Sequence, residues 1–304
     1  MRWPIVLVLA AALSGASAAE AQKPLLPDFQ ADPSAHEWDG RYWIYPSHDV
    51  PGSKDWDMVD WHAFSSTDLV TWTDHGVIVS LQDISWAKKW AWAPDAMARN
   101  GKYYFYLTAD EQVGVAVSDR PEGPFKDALG KPLIARGESG TRVIDPAVFV
   151  DDDGQAYLYF GQNAARVVKL KADMVTRDGH IVEIPLQNFH EGIWMHKRNG
   201  IYYLSYCAME TSAGEMHSRL AYSTAASPLG PFTYRGVIMD NKSSTIQHSI
   251  VDFGGQGYVF YHVQGPSGYE RRVAVEYLQY NADGTIKRVY MSKAGVAARE
   301  APSR

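Results

Sequence analysis

The chain has 304 residues, 46% of them hydrophobic and 21% charged, which is ample for a globular core. A net charge of −6 provides no basic face, so nucleic acid is excluded as a partner. One cysteine, Cys207, rules out an internal disulfide, and its place in Tyr203-Leu204-Ser205-Tyr206-Cys207 predicts a small buried hydrophobe.

Residues 1–20 stand apart. Arg2 gives a basic start, residues 5–13 an apolar run, and Ser14-Gly15-Ala16-Ser17-Ala18-Ala19 the small residues that precede cleavage. This pattern predicts a secretory signal peptide, too short to span a bilayer, and a secreted or periplasmic bacterial protein with no membrane association after its removal.

Five aromatic, alternating runs follow, each opened by a glycine turn. They are Asp39-Gly40-Arg41-Tyr42-Trp43-Ile44-Tyr45, Asn100-Gly101-Lys102-Tyr103-Tyr104-Phe105-Tyr106, Asp153-Gly154-Gln155-Ala156-Tyr157-Leu158-Tyr159, Asn199-Gly200-Ile201-Tyr202-Tyr203-Leu204-Ser205 and Gly255-Gln256-Gly257-Tyr258-Val259-Phe260-Tyr261. Their glycines lie 61, 53, 46 and 57 residues apart. Asp-Gly and Asn-Gly suit tight hairpins, which need positive φ. A period of about 50 residues with several strands per unit predicts an all-β fold, a single five-bladed β-propeller over residues 21–290. A short helix has room only within residues 81–92. Residues 291–304 lack periodicity and are read as a loose C-terminal tail.

Ahead of the five glycines stand Asp32, Asp95, Asp145, Glu191 and His248, at offsets of 8, 6, 9, 9 and 9 residues. Propeller closure would carry residues so placed to one axis. Asp32 and Asp145 each precede a proline, which predicts an extended backbone and a fixed side-chain direction. Gly192 after Glu191 permits a close approach. Clustered carboxyls raise one another's pKa, so one stays ionised as a base while another keeps a proton as an acid. Glycoside hydrolysis needs that division, and inversion needs carboxyls about 6.5–9.5 Å apart.

The sequence also carries a resemblance. Ala31-Asp32-Pro33-Ser34, Trp92-Ala93-Pro94-Asp95, Ile144-Asp145-Pro146-Ala147-Val148, Glu191-Gly192 with Lys197-Arg198-Asn199-Gly200, and His248-Ser249-Ile250-Val251 occur in the order found in glycoside hydrolase family 43, and the similarity covers nearly the whole chain after residue 20. The resemblance implies a five-bladed inverting glycosidase (EC 3.2.1) of the α-L-arabinofuranosidase or β-xylosidase type, acting on arabinan, arabinoxylan or xylan. It implies Asp32 as general base, Glu191 as general acid and Asp145 as the residue that raises and orients the acid. It implies no required cofactor, and a calcium ion held through waters near His248. The chain departs from many relatives at Ile193, where they have proline, and at Gln247-His248, where they have two histidines.

Substrate contacts are expected from Trp92 and Trp194 by stacking, from Asp95, and from Arg271 or Arg272. Residues 48–57 are expected to wall the pocket. The remaining histidines show neither HExxH nor paired spacing for a catalytic metal. Two other functions fit the same features, a sugar-binding propeller with a dead site and a retaining fructan hydrolase. The second is disfavoured because Ile144, not arginine, precedes Asp145.

Overall fold

The computed structural model describes residues 24–301 except 213, 214, 241, 242 and 266. The segment expected to be a signal peptide therefore lies outside the described residues. Among the described residues nineteen strands form five antiparallel sheets, each contiguous in the chain. Blade one holds β1 (Gln30–Trp38), β2 (Arg41–His48), β3 (Asp60–Ser66) and β4 (Thr73–Ser80). Blade two holds β5 (Trp92–Arg99), β6 (Lys102–Ala109), β7 (Gln112–Ser118) and β8 (Lys126–Asp127). Blade three holds β9 (Ala147–Val150), β10 (Ala156–Phe160), β11 (Ala165–Leu170) and β12 (Arg177–Ile184). Blade four holds β13 (Phe189–Arg198), β14 (Ile201–Ser212), β15 (Glu215–Ala225) and β16 (Thr233–Met239). Blade five holds β17 (His248–Phe253), β18 (Gln256–Gln264) and β19 (Arg271–Leu278). A 3₁₀ turn, Leu81–Asp83, is all that forms of the expected short helix.

The first strands of the blades touch in a closed ring: β1 meets β5, β5 meets β9, β9 meets β13, β13 meets β17, and β17 returns to β1. The predicted five-bladed propeller is borne out. Its closure uses the chain ahead of β1, where Leu25 N–H donates to the Val273 carbonyl of β19 at 2.9 Å. That segment adds to the one blade that has three strands.

The predicted hairpins form where the sequence demands positive φ. Asp39 and Gly40 (57° and 71°), Asn100 and Gly101 (54° and 71°), and Asn199 and Gly200 (50° and 76°) are two-residue turns between paired strands. The fifth turn differs from the expectation. Gly254 and Gly255 make it, while Gly257 sits inside β18, where a Cβ would lie 2.7 Å from the Leu278 carbonyl.

Aromatic side chains fill the wedges between blades. Tyr45, Trp61 and Phe105 pack between blades one and two, and Tyr106, Leu158 and Phe160 between two and three. Tyr159, Ile193 and Leu204 fill the next wedge, then Tyr203, Tyr222 and Tyr261, and Tyr42, Phe64, Phe253 and Phe260 close the circle. A buried phenol needs a hydrogen-bond partner, and the next blade supplies it. Tyr45 donates to the Pro121 carbonyl at 2.8 Å, Tyr106 to Met174 at 2.7 Å, Tyr159 to Pro228 at 2.8 Å and Tyr203 to Gly284 at 2.7 Å. The tyrosine-rich composition is thus mostly scaffold. Cys207 is fully buried, as expected, and burial pushes its thiol up, away from the thiolate.

The C-terminal residues are not loose. Arg299 N–H donates to the Asp68 carbonyl at 2.9 Å and Ala301 N–H to Thr67 at 2.7 Å. Val296 and Ala301 pack on the wedge between blades five and one. Absence of periodicity in residues 291–301 reflects a docked segment of irregular backbone, held by partners far away in sequence.

Candidate active site

Irregularities in the inner strands build the site. The pairing register shifts between Ala31 and Ser34 in β1, between Trp92 and Asp95 in β5, and on both sides of Glu191 in β13. Such bulges re-aim side chains at a barrel or propeller mouth. Asp32 has φ 50° and Asp145 φ 56°, the left-handed region, so the extended backbone expected ahead of proline does not form. Two hydrogen bonds hold these strained positions: Asp32 N–H donates to His262 Nδ1 at 3.2 Å, and Asp145 N–H to Thr108 Oγ1 at 3.1 Å. Strain of this kind, about 1–3 kcal/mol per residue, persists where the surroundings over-determine the backbone.

Asp32, Asp145 and Glu191, from blades one, three and four, line one pocket of about 180 Å³. Trp56, Trp92, Arg142, Gln162, His190 and Arg271 complete its polar and aromatic wall. Drug-sized ligand sites run to about 300–1,000 Å³, so this one is scaled to a small unit.

Each acid has a distinct environment. Asp32 accepts from Arg271 Nη1 at 2.8 Å through Oδ1 and from Ser47 Oγ at 2.6 Å through Oδ2. Burial pushes its pKa up, but Arg271, His262 and Ser47 outweigh that and hold the carboxyl well below the usual range. Arg271 is itself fixed by a two-pronged pair to Asp49, Nη2 to Oδ1 at 2.7 Å and Nε to Oδ2 at 2.9 Å. Asp145 has the opposite environment. Burial pushes it well up, and the nearby Glu191 and Asp32 carboxylates add to this, while the Gly192 N–H, 3.0 Å from Oδ2, and Arg271 oppose it. Glu191 accepts from Gln162 Nε2 at 2.7 Å and lies 3.6 Å from His190 Nε2. Gly192 is required where it stands: φ is +66° and a Cβ would lie 1.9 Å from the Ile246 carbonyl.

Of the expected substrate contacts, Trp92 and Arg271 reach the pocket. The other three do not. Asp95 is buried outside the pocket lining and commits its oxygens to neighbours, accepting from Ser34 Oγ at 2.6 Å, Ala96 N–H at 2.7 Å and Val148 N–H at 2.6 Å. It knits β1, β5 and β9 together. Trp194 is core, its indole N–H donating to the Ile250 carbonyl at 2.8 Å. Arg272 faces the other side of β19 and covers the Phe29 ring at 4.7 Å. Asp95 and Trp194 each stand six residues ahead of their glycine, against eight or nine for the pocket acids, and their side chains go elsewhere. His248 lies outside the pocket lining, fully buried, its Nε2 2.6 Å from Ser205 Oγ.

The sequence reading missed Gln162, Arg142 and His262. None is in phase with the repeat, and each reaches the pocket or its first support only through blade-to-blade packing. Asp49 and Trp56 were within the expected wall but not singled out; Arg271 pairs with the first and stands 4.5 Å from the ring of the second.

The model of glycosyl hydrolases family 43 matches residues 21–286. The chain belongs to that family. The family-43 assignment agrees with the resemblance read from the sequence and makes the protein a glycosidase. Xylosidase/arabinosidase 43A of Humicola insolens is 37% identical, the match covering 86% of this chain and 98% of that one. A β-xylosidase/α-arabinofuranosidase from a compost microbial metagenome, solved with xylotriose in a calcium-free form, superposes with a TM-score of 0.80 at 37% identity over 89% of this chain and 98% of its own. An α-L-arabinofuranosidase from Clostridium thermocellum gives a TM-score of 0.77 at 39% identity, covering 89% and 96%.

Proposed function

We propose that this family-43 enzyme releases single L-arabinofuranosyl or D-xylosyl units from plant cell-wall glycans with inversion, using Asp32 as base and Glu191 as acid. The observation that carries this reading is the opposed electrostatics of acids around one pocket. Arg271 keeps Asp32 ionised at any working pH, as a base for water requires. Glu191 shares its surroundings with Asp145, whose raised pKa retains a proton at the acid side of the site.

A glycosidic oxygen leaves poorly unless protonated. Glu191, positioned by Gln162, gives its proton to that oxygen as the bond to the anomeric carbon stretches. Asp32 accepts a proton from the water attacking the opposite face. Asp145 acts through Glu191, orienting it by way of the Gly192 N–H. The small pocket, walled by Trp56 and Trp92, favours removal of one terminal or side-chain sugar over internal cleavage.

The calcium implied by the resemblance fits His248. Burial pushes that imidazole down to about 3, so it is neutral, and its Nδ1 has no hydrogen-bond partner among the described residues. A water-bridged cation would meet that nitrogen and supply positive charge near the axis. The calcium-free form of the metagenomic relative supports an ion that is optional.

Residues 1–20 support export to the periplasm or culture fluid, and no helix among the described residues is long and apolar enough to cross a membrane. A panel of aryl arabinofuranosides, xylosides and galactosides, with linear arabinan and arabinoxylan, tests the function. Release of arabinose or xylose monomer is expected. Saturable glycan binding without cleavage of any pentoside would instead establish a dead site.

A further inference from the structure

A second cluster of ligand atoms lies on blade one, outside the pocket lining. His48 ends β2, and the register Ser47 to Trp61 sets it beside Asp60 at the start of β3. Asp60 and His62 are two residues apart on β3, so they share a face of the sheet. His48 Nδ1 is 2.8 Å from Asp60 Oδ1, and His62 Nε2 is 4.0 Å from the same oxygen. All three ligand atoms lie within 4.8 Å of one another.

The fourth member of the group decides the chemistry. Asp74 places its carboxyl oxygens 3.0 and 3.2 Å from His62 Nδ1, and Gly76 N–H fixes that carboxyl at 2.7 Å. His62 Nδ1–H therefore donates to Asp74, which leaves the Nε2 lone pair facing Asp60 and His48. A carboxylate behind the far nitrogen is how metal-binding imidazoles are oriented. At 4.0 Å, the Nε2 to Asp60 separation is too long for a hydrogen bond.

We propose that His48, Asp60 and His62 bind a Zn²⁺-class dication. Zinc–nitrogen bonds of about 2.0–2.1 Å in a tetrahedron put ligand atoms roughly 3.4 Å apart, between the 2.8 and 4.0 Å seen here. The side chains are 26%, 19% and 14% exposed, which leaves a fourth position to water. Two imidazoles and one carboxylate suit zinc, nickel or cobalt, whereas calcium wants six to eight oxygens. The ion is structural. His48 adjoins Asp49, which holds Arg271, so the metal pins the strand end that anchors the pocket's arginine. The site is separate from His248 on β17, and its occupancy does not depend on which sugar the enzyme takes.

The test is calorimetric titration of ZnCl₂ into the untagged, EDTA-treated protein, paired with thermal melts. One equivalent is expected at micromolar Kd or tighter, with the melting temperature raised by about 5 °C at a hundredfold excess over Kd. His62→Gln and Asp60→Asn should each weaken binding at least tenfold, and His248→Gln should leave it intact. If those variants fold poorly, Asp74→Asn keeps all three ligands and should still lower affinity about 10–100-fold. Absence of saturable binding, affinity unchanged in both His62→Gln and Asp74→Asn, or displacement of zinc by equimolar calcium would overturn the proposal.

Discussion

Gly192 donates its amide N–H to Asp145 Oδ2 at 3.0 Å, tying the acid ahead of β9 to the residue next to Glu191 on β13. Two carboxyls from different blades are thus held in a fixed relation by main chain. The backbone takes this path because residue 192 lacks a side chain, whose Cβ would meet the Ile246 carbonyl.

Gly192→Ala follows directly. The methyl group would lie 1.9 Å from the Ile246 carbonyl on a backbone of φ +66°. Strain and overpacking of roughly 1–3 kcal/mol each are expected. A denaturant melt should show the loss of stability, and kcat should fall at least tenfold as Glu191 shifts.

Asp145→Asn separates activity from stability. The folded-state pKa of Asp145 lies above its unfolded value, so its contribution is favourable at low pH and is lost as pH rises through the folded pKa. Replacing it with a neutral amide should leave stability at pH 8 unchanged or higher, while kcat drops by orders of magnitude. The alkaline limb of kcat/KM, which belongs to the Asp145–Glu191 pair, should move to lower pH. Urea melts at pH 5 and pH 8 with a pH–rate profile check both halves.

Arg271→Lys should damage fold and function together. The guanidinium pairs with Asp32 at 2.8 Å and makes two contacts to Asp49, and a lysine cannot satisfy both buried carboxylates. Leaving a buried charge unpaired costs about 3–5 kcal/mol. Asp32, whose low pKa contributes stability that is present above about pH 4 and lost as pH falls below, would lose much of that contribution. Melting temperature and kcat should both decline sharply.

Buried neutral histidines set the acid limit of the fold. His196 and His248 are pushed down by burial to about 3, against an ordinary 6.5. Below about pH 6.5 the unfolded chain takes up protons that the native one refuses, so stability falls towards pH 3, at up to about 1.4 kcal/mol per pH unit for each histidine. Equilibrium unfolding at pH 7, 6, 5 and 4 measures the slope.

How far the sequence discloses this protein depends on which residues carry the repeat. Asp32, Asp145 and Glu191 were legible because closure of a ring maps equal offsets to one place. Asp95 was grouped with the acids despite an offset of six rather than eight or nine, and Trp194 was chosen only as an aromatic able to stack. Both are buried, Asp95 bonded to Ser34, Ala96 and Val148 and Trp194 packed in the core. The fifth turn was misplaced by two residues because Gly254, Gly255 and Gly257 all satisfy the same composition, and only strand pairing separates them. Docking of residues 291–301 on Thr67 and Asp68 had no local signature. The Asp49–Arg271 pair, 222 residues apart, is equally silent in a linear reading.

The most direct measurement is the leaving-group dependence of Glu191→Gln. An enzyme that has lost its general acid should keep much of its rate on a dinitrophenyl pentoside, whose leaving group needs no proton, and lose it by orders of magnitude on the corresponding pentose disaccharide. Equal losses on both substrates, or near-normal turnover of the disaccharide, would contradict the role given to Glu191.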